Sequence, residues 1–164
     1  MKLERFPNDR ASEEVVTFIG VDPGMSGGVV WLEDGIPPTV CKFGDLTEGD
    51  ISEVFSKLPV QSFAILESVH SFPGQGVASS FKFGMNFGML KGFLYGFGIP
   101  FELVTPQKWQ KEIGCLTGGD KNISKTKAQQ LFPQIKVTHA IADALLLAEY
   151  ARRTWKQRYA LEGK

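Results

Sequence analysis

Several features that would simplify assignment are missing from this chain. It has two cysteines in 164 residues, Cys41 and Cys115. They are too few and too far apart for a zinc knuckle or a disulfide framework, and read as buried or half-buried free thiols. It has no net charge, with 18 Lys and Arg against 18 Asp and Glu, whereas a nucleic-acid binder usually carries a basic surplus. No apolar run opens the chain: Met1 to Glu14 is charged and reads as a polar arm, not as a signal peptide. The apolar stretch from Phe81 to Phe101 has the length of a membrane helix, but Lys82, Asn86 and Lys91 interrupt it, so no membrane span is expected. What is present is ordinary for one globular domain with a real core: 43% hydrophobic and 22% charged residues.

The neutral average hides an asymmetry. Residues 1–81 hold 5 Lys or Arg against 12 Asp or Glu, and residues 82–164 hold 13 against 6. The folded surface is therefore expected to have an acidic and a basic region, or else charge scattered over solvated faces. Val15–Asp22 is a continuous β-branched apolar run and predicts a buried strand. A Pro-Gly turn then leads to a returning strand at Val29–Leu32. A third strand is expected near Thr39–Phe43, a helix over Leu46–Leu58, and a buried strand at Ser62–Glu67. A polar loop, His70–Ser80, precedes a long helix from Phe81 to about Phe97. Phe101–Val104 reads as a short strand, and Pro106 suits the first turn of a helix. Further helices are expected at Ser124–Leu131 and Thr138–Lys156. This order, βββαβαβ and then helices, predicts an α/β fold with a mixed sheet under helical cover.

The chemistry is expected where the acids fall. Asp22 ends one buried strand, Glu67 ends another, and Asp143 stands among Ile141, Ala142, Ala144, Leu145 and Leu146. A buried, unpaired carboxylate is costly, so an acid flanked by apolar residues needs a partner or a metal. Hard divalent cations such as Mg²⁺ favour carboxylate oxygens, and a pair of them can activate water against a phosphodiester. Blander readings exist: Asp22 as a turn residue before Pro-Gly, and Glu67 as a strand-end cap. Asp143 has no comparable structural explanation. His139, four residues before Asp143, shares its helix face and could be a ligand, a proton shuttle or a structural residue.

Ile19-Gly20-Val21-Asp22-Pro23-Gly24 with Ser26-Gly27-Gly28 resembles the first motif of the RuvC family of Holliday junction resolvases. Leu66-Glu67, a loop and Ser80-Phe81-Lys82-Phe83-Gly84 are similar to its second. Ala142-Asp143-Ala144-Leu145-Leu146-Leu147-Ala148 resembles its terminal motif. Phe72-Pro73-Gly74-Gln75-Gly76 and Thr105-Pro106-Gln107-Lys108-Trp109 are closer to the phage and chloroplast branch. The resemblance covers about residues 17–153. It implies an RNase H-like mixed five-stranded sheet flanked by helices and a homodimer. It further implies Mg²⁺, with Mn²⁺ as a substitute, held by Asp22, Glu67 and Asp143, and paired nicks across a four-way DNA junction. It implies a single nuclease domain over 15–156 between an arm, 1–14, and a tail, 157–164. An intracellular, DNA-containing setting such as a bacterial cytoplasm follows, with a phage genome as one source. There is one departure. Many relatives have a fourth acid where this chain has Ala140, and the organellar branch has one where this chain has Thr138. His139 is the nearby candidate to replace it, and with the three acids completes the expected catalytic set.

Lys121, Lys125 and Lys127, with Asn122 and Ser124, cluster around an expected helix start, combining cations with free backbone N–H groups that suit a phosphate. Solvated lysines are the alternative. Phe72 and Phe81, with Lys82 beside them, are placed to meet DNA after Glu67, where an exposed aromatic could stack on an unpaired base; core packing is expected instead for Phe83. Gly84, Gly88, Gly92 and Gly96 recur every four residues along the long helix, and each glycine costs about 1 kcal/mol against alanine there. Such a stripe lets another backbone approach, either the sheet beneath or a partner subunit, and the resemblance implies the partner of a dimer for Gly84, Gly88 and Gly92. Other functions stay open: an RNase H-like nuclease acting on flaps, forks or hybrids, a catalytically inactive DNA-binding module, and an actin-like nucleotide binder. The last needs two such domains, and this chain is too short.

Overall fold

A computed structural model describes residues 17–162 apart from 60, 71–73 and 75, with no side-chain detail beyond 157. The expected arm, 1–14, and Phe72 lie outside the described residues. Five strands form one sheet in the order β3-β2-β1-β4-β5. The strands β1 (Thr17–Asp22), β2 (Gly28–Glu33) and β3 (Thr39–Lys42) run as an antiparallel meander. Helix α1 (Glu48–Ser56) carries the chain to β4 (Ser62–Glu67), which lies parallel to β1. Helix α2 (Val77–Gly96) then leads to β5 (Phe101–Val104), parallel to β4. Helices α3 (Pro106–Ile113), α4 (Lys121–Leu131) and α5 (His139–Glu162) follow. This is the α/β mixed five-stranded sheet with helical cover that the order of elements predicts.

Strand alternation divides the core into two layers. Phe18, Val30, Leu32, Phe63 and Ile65 turn toward α3, α4 and α5, where Trp109, Ala128, Leu145 and Ala148 are fully buried. Ile19, Val21, Val29, Ala64 and Leu66 turn the other way, to meet Ile51 and Phe55 of α1 and Leu90 and Leu94 of α2. Gly20 lets α5 settle on β1. A Cβ there would stand 2.0 Å from the Ala144 carbonyl oxygen and 2.4 Å from the Ala148 nitrogen, so only glycine admits the helix backbone at that depth.

Three boundaries differ from expectation by more than two residues. Helix α2 starts at Val77, one turn before Phe81, because Val77-Ala78-Ser79-Ser80 contains no breaker once Gly76 is passed. Helix α4 starts at Lys121, with Asp120 as its cap. Helix α5 runs on to Glu162, so residues 157–162 continue the helix where the sequence suggests a tail; nothing before Gly163 disfavours helix. The glycine stripe of α2 does not face the sheet: nothing stands within 4 Å of a Cβ built at Gly84, Gly88, Gly92 or Gly96. Among the described residues no helix is long and apolar enough to cross a membrane.

Candidate active site

Register brings the first two acids together. In the parallel pair β1–β4, Val21 lies opposite Leu66, so Asp22 and Glu67, one residue on, end adjacent strands at their carboxyl edge. By alternation both belong to the face that carries α5. The close fit at Gly20 and Ala144 then places Asp143, the residue before Ala144, beside that edge. Open parallel sheets commonly bind ligands at this position, outside the carboxyl ends of neighbouring strands.

The turn that carries Asp22 is fixed from the opposite layer. Gly24 has φ 115°, a conformation that glycine adopts without strain. Its N–H donates to the Asn86 side-chain oxygen of α2 at 2.8 Å, and Phe83 packs beside it.

The three carboxylates sense one another. Burial raises the Asp22 pKa well above the usual carboxylate range; the charges of Glu67 and Asp143 raise it further, and the Lys121 ammonium draws it down. Burial pushes Glu67 up to about 7 despite a hydrogen bond that favours its ionised form, and Asp143 adds to the rise. Burial also raises Asp143, against a hydrogen bond from Ser124 and the charges of Lys121 and His139. Lys121 thus acts on all three acids. One Asp143 oxygen, Oδ1, is buried without a hydrogen-bond partner, a group that a cation would satisfy. As the side chains stand, no three His, Cys, Asp or Glu among the described residues form a closed metal-holding group. The donor chemistry nevertheless suits a hard divalent cation: carboxylate oxygens, mutually repelling and partly desolvated, one of them orphaned.

Glu67 is only 8% exposed, and its Oε1 accepts a hydrogen bond of 2.8 Å from the indole Nε1 of Trp109. The sequence reading assigns Trp109 no role. A signal was present: Trp109 and Ile113 are the apolar residues of an otherwise polar α3, and a buried indole N–H requires an acceptor.

The remaining candidates divide. His139 opens α5 and is exposed. Phe81 is 67% exposed on the second turn of α2, with Lys82 exposed beside it. Ser124, expected on the DNA side, is buried and turned to Asp143, because three residues from Lys121 is the inner face of α4. The backbone N–H of Asn122 is not free for a phosphate; the Asp120 carboxylate accepts it at 2.9 Å, capping the helix. Lys121 is exposed and Lys125 partly so. The Lys127 Nζ is 4.0 Å from where a Gly114 Cβ would stand and acts on the Cys115 thiol, so it leans toward the end of α3.

No family model matches this sequence, and no curated protein matches it. Solved structures do. A Thermus thermophilus RuvC structure is 17% identical and covers 85% of this chain and 96% of its own, with a TM-score of 0.59. T. thermophilus RuvC in complex with a Holliday junction substrate is 16% identical over 84% and 96%, with a TM-score of 0.58. At such identity the likeness speaks for architecture, and the architecture of this chain is the RuvC-like fold.

Proposed function

We propose that this protein is a divalent-metal-dependent endonuclease that cuts four-way DNA junctions. The observation that carries the reading is the convergence of Asp22, Glu67 and Asp143 at one sheet edge, each with a raised pKa and each coupled to a neighbouring acid. The similarity to a RuvC bound to a Holliday junction supports the choice of substrate. Asp22, Glu67 and Asp143 would hold Mg²⁺, or Mn²⁺ in its place. When bound, the ion supplies an activated water and stabilises charge on the phosphodiester oxygens. Lys121 adds a cation at the same edge, where it would draw in a phosphate and offset the charge of the acids. His139, one turn before Asp143 on an exposed helix start, is placed to exchange protons with solvent as ligand or shuttle. Phe81 and Lys82 would meet the DNA arms beyond the acids. The open glycine stripe of α2, bordered by exposed Phe81, Met85 and Tyr95, would pack on the same helix of a second copy, giving two centres for two strands.

Nicking of synthetic four-way junctions, flaps and plain duplex, with and without Mg²⁺, tests the reading. Wild-type protein should cut the junction only with the ion. Asp22→Asn should lose cleavage and keep most junction affinity, since affinity comes mainly from basic contacts to phosphates. Cleavage by Asp22→Asn at the wild-type rate would remove that carboxylate from the site. Junction binding without cleavage by the wild type would mark an inactive binding module.

A further inference from the structure

We infer that Trp109 is a positioning residue that sets the orientation of the Glu67 carboxylate for a bound divalent ion, an inference that rests on the proposed reading of the acids as an ion site. Glu67 and Trp109 are 42 residues apart, yet their side chains meet at 2.8 Å in a buried setting. Successive elements bring this about. Strand β5 pairs with β4 so that Val104 lies opposite Glu67, and the Ser68 N–H donates to the Val104 carbonyl at 2.8 Å. The chain therefore leaves β5 beside Glu67. Pro106 opens α3 two residues later, after the Thr105 cap, and Gly114, at φ 75°, ends it. The helix between them turns Trp109 and Ile113 inward, and Trp109, with no exposed surface, meets Glu67 at the end of β4.

The bond is more than packing. A buried carboxylate with no fixed donor can rotate, and an ion that needs near-ideal geometry binds such a ligand poorly. An N–H on Oε1 fixes the carboxylate plane and leaves the other oxygen for the ion. Hydrogen bonds of this kind orient metal ligands, and their loss typically weakens metal affinity by about 10–100-fold. Trp109 also donates without adding charge, so it steadies Glu67 without competing with the cation.

Mn²⁺ binding, followed by the electron paramagnetic resonance of the free ion, tests this without recourse to cleavage. Three proteins decide it: wild type, Trp109→Phe, and protein with benzothienylalanine at position 109. The last keeps the size and shape of the indole and replaces its N–H with sulfur. Thermal unfolding of each shows whether the core is kept. Weakening of about 10-fold or more in the benzothienylalanine protein, with its unfolding temperature near that of wild type, is the expected result. Affinity unchanged in that protein would overturn the inference, whatever Trp109→Phe does, since packing alone would then account for the tryptophan. Wild-type protein that binds no more Mn²⁺ than Asp22→Asn would overturn the ion site itself, and the role of Trp109 with it.

Discussion

Each of the three carboxyls holds its proton more tightly in the folded chain than in the unfolded one, with burial as the largest cause. A raised carboxyl pKa gives stability that is present at low pH and lost as pH rises toward the folded value. For Glu67 the loss spans its ordinary 4.5 to about 7, a shift corresponding to about 3 kcal/mol. In the presence of a chelator, the protein should therefore unfold at a lower temperature at about pH 8 than at about pH 5. Glu67→Gln, which keeps an acceptor for Trp109, should remove much of that slope. Mg²⁺ at the higher pH should restore the wild type. Equal slopes for wild type and Glu67→Gln would contradict the burial of a strained carboxylate. These acids were legible in the sequence because a charge amid apolar residues is a contradiction that the fold must resolve. Trp109 was not, because its acceptor lies 42 residues away on β4, and no local pattern says which buried indole meets which acid. Ser124 was misread for a related reason: a hydroxyl beside lysines looks solvated until the helix phase is known.

Helices and strands show where local rules suffice. The predicted bounds of β4 and β5, Ser62–Glu67 and Phe101–Val104, match those in the structure, since β-rich apolar runs with hard stops leave little freedom. The starts of α2 and α4 lie earlier than the sequence predicts because Ser79-Ser80 and the residues after Gly119 are polar and resemble loop, although neither segment breaks a helix. The glycines of β1 and α2 are opposite cases. Gly20 is enclosed by the backbone of α5, whereas nothing approaches a Cβ at Gly88. Gly20→Ala should thus destabilise the folded chain by about 3 kcal/mol, at the upper end for overpacking, and shift Asp143 from its partners. Gly88→Leu should leave the thermal stability of a single chain intact and change only association, seen as a smaller sedimenting species. A large loss of unfolding temperature in Gly88→Leu under dilute conditions would mean that the stripe serves the protein's own core.

Over the whole molecule, the even charge count conceals an uneven order along the chain, with most acids in residues 1–81 and most Lys and Arg in residues 82–164. The acids that converge come from two strands and one helix, while Lys121, which acts on all three, opens α4. If Lys121 and Lys125 contact phosphates, replacing either with alanine should flatten the slope of log affinity against log salt by roughly 0.9 for a four-way junction. Lys127→Ala should change it less, because that ammonium leans against the end of α3. Slopes unchanged by Lys121→Ala and Lys125→Ala would move the DNA path elsewhere. The docking of α5 on β1 has a further consequence, one of timing. Asp143 is made 121 residues after Asp22, and their meeting requires α5 to lie against β1. Chains emerge at about 5–20 residues per second, so for several seconds a growing polypeptide can carry Asp22 and Glu67 before Asp143 exists to join them. On the reading proposed above, a chain ended before α5 is harmless to DNA, and nuclease activity begins only once α5 has docked on β1.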